Sequence, residues 1–389
     1  MRSKELSLYI HIPFCVKKCA YCDFLSFPAE DSIKEQYIDR LCWEIIKEAE
    51  RYKDRSVISV FFGGGTPSVL GAEQIERIME LIGSSFNITA GAEISIEINP
   101  GTADKDKFAI YKRAGISRIS IGCQSLNDKE LAVLGRIHRE EDFYRAFHAA
   151  RDAGFDNINV DMMSALPRQS AADYESSLKK LICLKPEHIS AYSLIIEEGT
   201  PFFERYQKDA AIRDKGGRPQ YLPDEDEERS MLYLGRDILK DAGYHQYEIS
   251  NYALPGYECR HNKVYWQRGD YAGFGLGASS CVDECRWKNT EDFDEYLSVG
   301  ADELKRDIQM LDTSQQRSEA MFLGLRLMSG VDEAEFTGRY GIAPADMYGE
   351  WIDRMISEGL MEKEDGKLAL TLKGQDLANY VWGGFILNE

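Results

Sequence analysis

No stretch of the 389-residue chain approaches the roughly 18 consecutive apolar residues that a membrane-spanning helix needs. The first residues, MRSKELSLYIHIPF, lack the apolar core of a secretory signal, so the expectation is a cytoplasmic protein without an integral membrane segment. Positive charge is scarce: 47 Lys and Arg stand against 66 Asp and Glu, a formal charge of −19. Such a surface repels phosphate backbones and disfavours nucleic acid as a partner. Internal repeats and low-complexity tracts are absent. The nine cysteines are odd in number and follow no signal, which argues against a disulfide framework. The hydrophobic fraction of 43% and charged fraction of 29% suit a soluble globular chain, and the length admits one large α/β domain with a smaller one.

What is present has a regular period. Apolar runs of strand length occur at residues 6–12, 57–62, 94–99, 118–122, 157–163 and 188–194. Helix-like stretches lie between them at 32–51, 72–82, 104–114, 141–153 and 171–184, with Gly115 and Gly154 as stop signals. Strands alternating with helices imply βαβ units and a parallel sheet. Six units suit an incomplete barrel, with an open doubly wound sheet as the alternative. Either places its chemistry in the loops after the strand C-terminal ends. Composition breaks near residues 205–230, where DKGGRPQYLPDEDEER reads as a polar loop leading into a helix. The last 80 residues read as a helical unit closed by a hairpin, MEKEDGKLALT, in the manner of a winged helix. Residues 311–389 carry seven Lys/Arg against fourteen Asp/Glu, a net of −7, which makes a poor DNA reader and a better structural or protein-contact module.

Three cysteines, Cys15, Cys19 and Cys22, fall within eight residues just after the first predicted strand, in YIHIPFCVKKCAYCDF. Three thiolates on one short loop can hold three corners of a cubane iron–sulfur cluster and leave the fourth iron open to another ligand. Structural zinc, with His11 as a fourth donor, is the competing chemistry. The tight spacing argues against three incidental cysteines. The remaining six read as small buried hydrophobes, with Cys281 and Cys285 spaced to share a helix face. Gly63-Gly64-Gly65-Thr66-Pro67 follows the second strand, where glycines admit a ligand close to the backbone. Glu97, Gln124, Arg136 and Asp161 stand at or just beyond the ends of later strands. Each alone would more often be a salt bridge or cap; together they line one rim.

The C-x3-C-x2-C spacing with its flanks YIHIPFC and YCDF resembles the radical-SAM superfamily, and within it the coproporphyrinogen oxidase-like branch. The resemblance spans nearly the whole chain. It implies a partial (βα)6 radical-SAM barrel at residues 1–205, a connecting α+β region at 206–310 and a winged-helix-like unit at 311–389. It implies a [4Fe–4S] cluster on Cys15, Cys19 and Cys22, with S-adenosylmethionine (SAM) on the open iron. It carries Tyr9, Tyr21, Gly64, Gly65, Thr66, Glu97, Gln124, Arg136 and Asp161 onto cofactor-contacting positions. Oxidases of the branch carry a further cysteine where this chain has Phe24, and a longer arm before the first strand; both departures speak against oxidative decarboxylation of a porphyrinogen. Haem-chaperone members carry HNxxYW, matched here by HNKVYW at 261–266. That match implies haem as a ligand, with His261 the candidate axial donor, haem-acceptor apoproteins as partners, and a reducing electron donor. Three readings follow: a haem-binding cluster protein, a radical-SAM enzyme acting on a porphyrinogen, and a zinc-stabilised interaction protein.

Overall fold

The computed structural model describes residues 4–386, so the outermost three positions of the expected ranges 1–205 and 311–389 lie outside the described residues. Six strands run in parallel: β1 (Glu5–Ile12), β2 (Ser56–Gly64), β3 (Asn87–Ile98), β4 (Arg118–Gln124), β5 (Ile158–Ser164) and β6 (His188–Ser193), in that spatial order. Between them lie α1 (Asp31–Ala49), α2 (Ala72–Ser85), α3 (Lys105–Arg113), α4 (Asp128–Leu134), α5 (Glu140–Asp152) and α6 (Ala171–Cys183). All six expected strands and five expected helices are there, as the six-unit α/β frame requires. The short α4 had no periodic signal in the sequence.

Each strand alternates. On β1, Leu6, Leu8, Ile10 and Ile12 are fully buried, and Ser7, Tyr9 and His11 point to the other side. The pattern repeats as Ile94, Ile96 and Ile98 against Ser95, Glu97 and Asn99, and as Ile158, Val160 and Met162 against Asn159 and Asp161. The aliphatic set joins residues such as Leu41, Ile75, Phe108 and Phe147 from the helices in one core. Parallel sheets are usually apolar on both faces. Here the other face is polar, and it carries the site.

The polar segment expected to be a loop leading into a helix is one: residues 214–224 run without regular structure into α8 (Glu225–Asp241), while the start of the 205–230 composition break belongs to α7 (Pro201–Arg213), with Thr200 as its N-cap. Strands from farther along then lengthen the sheet at both edges. β7 (His245–Glu248) and β8 (Asn251–Ala253) add beyond β6. After α9 (Arg260–Trp266), β9 (Tyr271–Phe274) pairs parallel to β1, and β10 (Ser279–Val282), β11 (Cys285–Asn289) and β12 (Lys305–Met310) continue antiparallel, with α10 (Phe293–Ser298) before the last. Cys281 and Cys285 therefore lie on two strands of a hairpin, not on one helix face. The turn between them, Asp283-Glu284, has positive φ at both residues, the geometry of a two-residue hairpin turn.

The C-terminal unit comprises α11 (Thr313–Gly324), β13 (Val331–Asp332), α12 (Glu333–Tyr340), α13 (Pro344–Ser357), the hairpin β14 (Met361–Glu364) and β15 (Lys367–Leu370), then α14 (Leu372–Asp376) and α15 (Ala378–Gly383). Its own core gathers Met321, Phe336, Met355, Leu368 and Phe385. Buried Arg268 fastens it to the sheet, donating to Glu284 and, at 2.9 Å, to Glu319 of α11. Among the described residues no helix is long and apolar enough to cross a membrane.

Candidate cofactor site

The cysteine loop leaves β1 at Pro13 and is stitched down at several points. Cys15 N–H donates to Phe27 O at 3.1 Å, Phe27 N–H to Pro13 O at 2.9 Å, and Thr66 N–H to Phe14 O at 2.8 Å. Its middle is held from the far side of the sheet, where Ala20 N–H meets Leu134 O at 3.1 Å and Phe202 N–H meets Ala20 O at 2.9 Å. From below, His11 Nε2 donates to Leu25 O at 3.0 Å. A carbonyl only accepts, so the proton sits on Nε2 and Nδ1 accepts from the Tyr9 hydroxyl at 3.0 Å. With both nitrogens engaged, His11 is not a spare donor for zinc.

The three thiols are free and partly exposed. Arg136 Nη1 lies 3.6 Å from Cys19 Sγ, and Thr66 Oγ1 lies 3.3 Å from Cys15 Sγ. Burial pushes the Cys22 thiol up. Among the described residues no three His, Cys, Asp or Glu side chains gather around one point as a single ion would require. Three thiols spread along a loop suit a multi-iron cluster, in which each thiolate takes a different iron.

The glycine turn abuts this loop because its residues are too small to keep it away. A Cβ at Gly65 would stand 2.7 Å from Phe14 O and 3.0 Å from Ile12 O. Gly64, at φ +112°, would drive a Cβ to 2.4 Å from the His11 ring. The turn is held from beneath by Lys107, whose Nζ donates to Ser68 O, Leu70 O and Thr102 O at 2.8–2.9 Å.

Across the polar face, Glu97 Oε2 accepts from Gly64 N–H at 3.2 Å. Burial, and next the charge of Asp161, raise the Glu97 carboxyl to about 8. Asp161 is likewise raised by burial, although Asn159 Nδ2 donates to it at 2.8 Å. Gln124 closes β4 at φ +69°, a backbone strained for a residue with a side chain, and its Oε1 accepts from the Tyr192 hydroxyl at 3.1 Å. Arg136 donates to Asn99 Oδ1 at 2.5 Å and Gly122 O at 2.6 Å. Tyr21, on the cysteine loop, tilts against Phe202 with centroids 6.3 Å apart. The structure thus brings Tyr9, Gly64, Gly65, Thr66, Glu97, Gln124, Arg136 and Asp161 to one mouth with the three cysteines.

Asn99, Tyr192 and His138 were not singled out in the sequence. Asn99 Nδ2 donates to Thr66 Oγ1 at 2.7 Å while its Oδ1 receives Arg136, so it joins two predicted positions. Its signal was the two-residue period: Glu97 and Asn99 share a face. His138 accepts from Arg136 Nε at 3.4 Å, and burial, then the Arg136 charge, lower it to about 4.

His261 lies behind the mouth, its ring centroid 6.5 Å from that of Tyr9. It is 1% exposed, against the polar face beside Ser7 of β1 and Ser59 of β2. Nδ1 lies 2.9 Å from Ser59 Oγ, which donates its own proton to Ser7 Oγ at 2.7 Å, so Nδ1 is the protonated nitrogen. Nε2 then accepts from the Tyr265 hydroxyl at 2.8 Å. Burial, and after it Arg118, lower this imidazole to about 3. Coordination of haem iron would require Tyr265 to give up the Nε2 lone pair.

Six parallel strands with three free thiols, a glycine turn and a cluster of partly exposed carboxyls toward their C-terminal ends define a radical SAM protein. The model of the Radical SAM superfamily matches residues 9–181, and that of the HemN C-terminal domain matches 311–377. The heme chaperone HemW of Lactococcus lactis is 35% identical over 100% of this chain and 99% of its own length; that of Escherichia coli is 36% identical over 94% and 96%. The solved coproporphyrinogen III oxidase (HemN) of Escherichia coli, described as a radical SAM enzyme, superposes with a TM-score of 0.83 at 25% identity, covering 98% of this chain and 90% of that one. The chain belongs to the HemW family of radical SAM proteins.

Proposed function

We propose that the protein is a cytoplasmic haem chaperone that holds a [4Fe–4S] cluster on Cys15, Cys19 and Cys22, binds SAM beside it, and passes haem to apoproteins. The convergence of three free thiols with the Gly64–Thr66 turn at one mouth carries the cofactor half of this reading; full-length kinship with HemW proteins supports the haem half. A reduced cluster with SAM supplies one-electron chemistry at a sulfonium, drawn from an external reductant. The chain's own residues position and insulate. Arg136 sets a fixed positive charge against the Cys19 thiolate. Gly64 and Gly65 expose backbone to a ligand, and the raised Glu97 and Asp161 carboxyls offer hydrogen bonds to hydroxyl groups. Tyr9 and Tyr192 flank them, and Tyr21 and Gln124 complete the expected contacts. The ranges 1–205, 206–310 and 311–389 stand as the proposed domains.

A cleft of about 920 Å³ between α9 and the C-terminal unit has room for a macrocycle. Val264, Trp266 and Phe336 give it an apolar wall, and Arg339 and Lys367 bring charge opposite to propionates. Five acids line the same cleft, Glu5, Asp270, Glu284, Asp332 and Glu335; Asp270 is paired with Arg55, Glu284 with Arg268 and Arg339, and Asp332 caps α12. Anaerobic reconstitution followed by haem titration, with Trp266 fluorescence followed against Trp266→Phe, tests the reading. Haem binding with quenching of Trp266 supports it, and a chain that takes up iron and sulfide yet binds no haem refutes the chaperone half. The second reading, an oxygen-independent coproporphyrinogen III oxidase, is favoured by the TM-score of 0.83 to that enzyme and opposed by Phe24 in place of the extra cysteine. Anaerobic turnover of coproporphyrinogen III by the same sample decides between them.

A further inference from the structure

Helix α9, which carries the HNKVYW segment, packs on the polar face of the sheet against Ser59 of β2 and Glu93 of β3. The N–H groups at its start have no side-chain cap from their own turn. Distant residues satisfy them: Tyr247 Oη accepts from Cys259 N–H at 3.2 Å, and the Glu93 carboxylate of β3 accepts from Arg260 and His261 N–H at 3.2 Å each. His188 of β6 braces Tyr247 at 2.9 Å. The helix is therefore built into the sheet, not laid on it.

His261 is its innermost side chain. Its ring stacks on Phe61 at 5.0 Å, and Phe61 stacks on Tyr9 at 6.4 Å. Tyr9 bonds His11, and His11 bonds Leu25 of the cysteine loop. An unbroken series of contacts thus runs from the motif histidine to the loop that carries the three thiols. The Phe61 ring on one side and the Tyr265 ring, edge-on at 5.1 Å, on the other leave no place for a macrocycle against this imidazole.

We propose that His261 is a positioning residue of the cofactor site and not an iron ligand: held by Ser59 and Tyr265, it backs Phe61 and Tyr9 and so fixes His11 and the cysteine loop. The proposal rests on the cluster-and-SAM reading of the mouth. The test uses the full chain, reconstituted anaerobically, as wild type, His261→Ala, His261→Gln and Tyr265→Phe, with SAM binding measured by calorimetry and haem binding by the Soret band. Loss of a supporting residue of this kind weakens binding by about tenfold. That loss is expected for SAM in His261→Ala, a smaller one in Tyr265→Phe, and partial recovery in His261→Gln, which keeps one polar contact. The Soret position and titration midpoint stay those of wild type. Unchanged SAM affinity in both His261→Ala and Tyr265→Phe overturns the proposal, as does a Soret band shifted or lost in either folded variant. Should His261→Ala not fold, Tyr265→Phe decides by the same two readouts. A wild type that binds SAM but no haem sinks the chaperone reading and leaves the SAM readout to decide this one.

Discussion

The two ends of the same polar sheet face are finished differently. At the base, most of the polar groups around α9 meet inside the protein: Glu93 takes two backbone N–H groups, His188 spans Asn159 and Tyr247, and His261 spans Ser59 and Tyr265, while Arg118 Nε and Trp266 Nε1 stay buried without a partner among the described residues. At the mouth, Tyr9, Glu97, Asn99, Arg136 and Asp161 remain partly exposed and the three thiols have no common partner. A buried polar group is tolerable only when paired. Pairing completed within the chain marks structure, and polar groups converging with access left open mark a binding site. A histidine in a recognisable motif is thus not a ligand by virtue of the motif.

The sharpest way to break this contrast is at the mouth. Cys19→Ala is expected to abolish the cluster, seen as iron and acid-labile sulfide falling to background, while the urea midpoint of the metal-free chain barely moves. Retention of the wild-type iron content would deny the thiol its role. At the base the order reverses. Glu93→Ala strands one buried and one part-buried N–H group and is expected to destabilise the fold by about 3 kcal/mol, measured by urea denaturation. A loss below about 1 kcal/mol would mean that α9 is not held as described. Gly65→Ala stands between the two ends. The added Cβ meets the Phe14 and Ile12 carbonyls, so about 2 kcal/mol of destabilisation is expected together with poorer iron uptake. Wild-type behaviour in both measurements would contradict that packing. Asn99→Ala, which removes the link between Thr66 and Arg136, is expected to weaken SAM binding about fivefold, equivalent to one hydrogen bond.

The smallest effect concerns pH. The Glu97 carboxyl is raised from 4.5 to about 8 in the folded chain. The folded state therefore prefers the proton, and this group's contribution is present at low pH and is lost as pH rises through about 8. Glu97→Gln cannot ionise, so the urea midpoint of the cofactor-free variant should fall less than that of wild type between about pH 6 and pH 9. Parallel curves would show that Glu97 is already ionised at neutral pH.

Much of the mouth was legible because its residues lie close in sequence to strand ends. Cys15, Cys19 and Cys22 occupy one loop, Gly64–Thr66, Glu97 and Gln124 stand at strand ends, and Asp161 lies in the middle of β5, on strands whose order in the parallel sheet follows the chain. Asn99 escaped notice although it shares the period of Glu97, and Tyr192 had no marker beyond alternation. The extra strands at both edges were not legible, since β7 to β12 are short and lack the long apolar runs of the first six. Cys281 and Cys285 were misplaced because a four-residue spacing suits a helix face and a two-residue hairpin turn alike.

The sequence by itself determined the parallel α/β frame, through strand and helix periods set by local geometry, and the identity of the cysteine loop, through three thiols within one short segment. Only the tertiary structure decided what HNKVYW does. Whether an imidazole nitrogen is free to bind iron depends on which hydroxyls stand beside it, and while Tyr265 comes from the same helix turn, Ser59 and Phe61 arrive from a strand two hundred residues earlier.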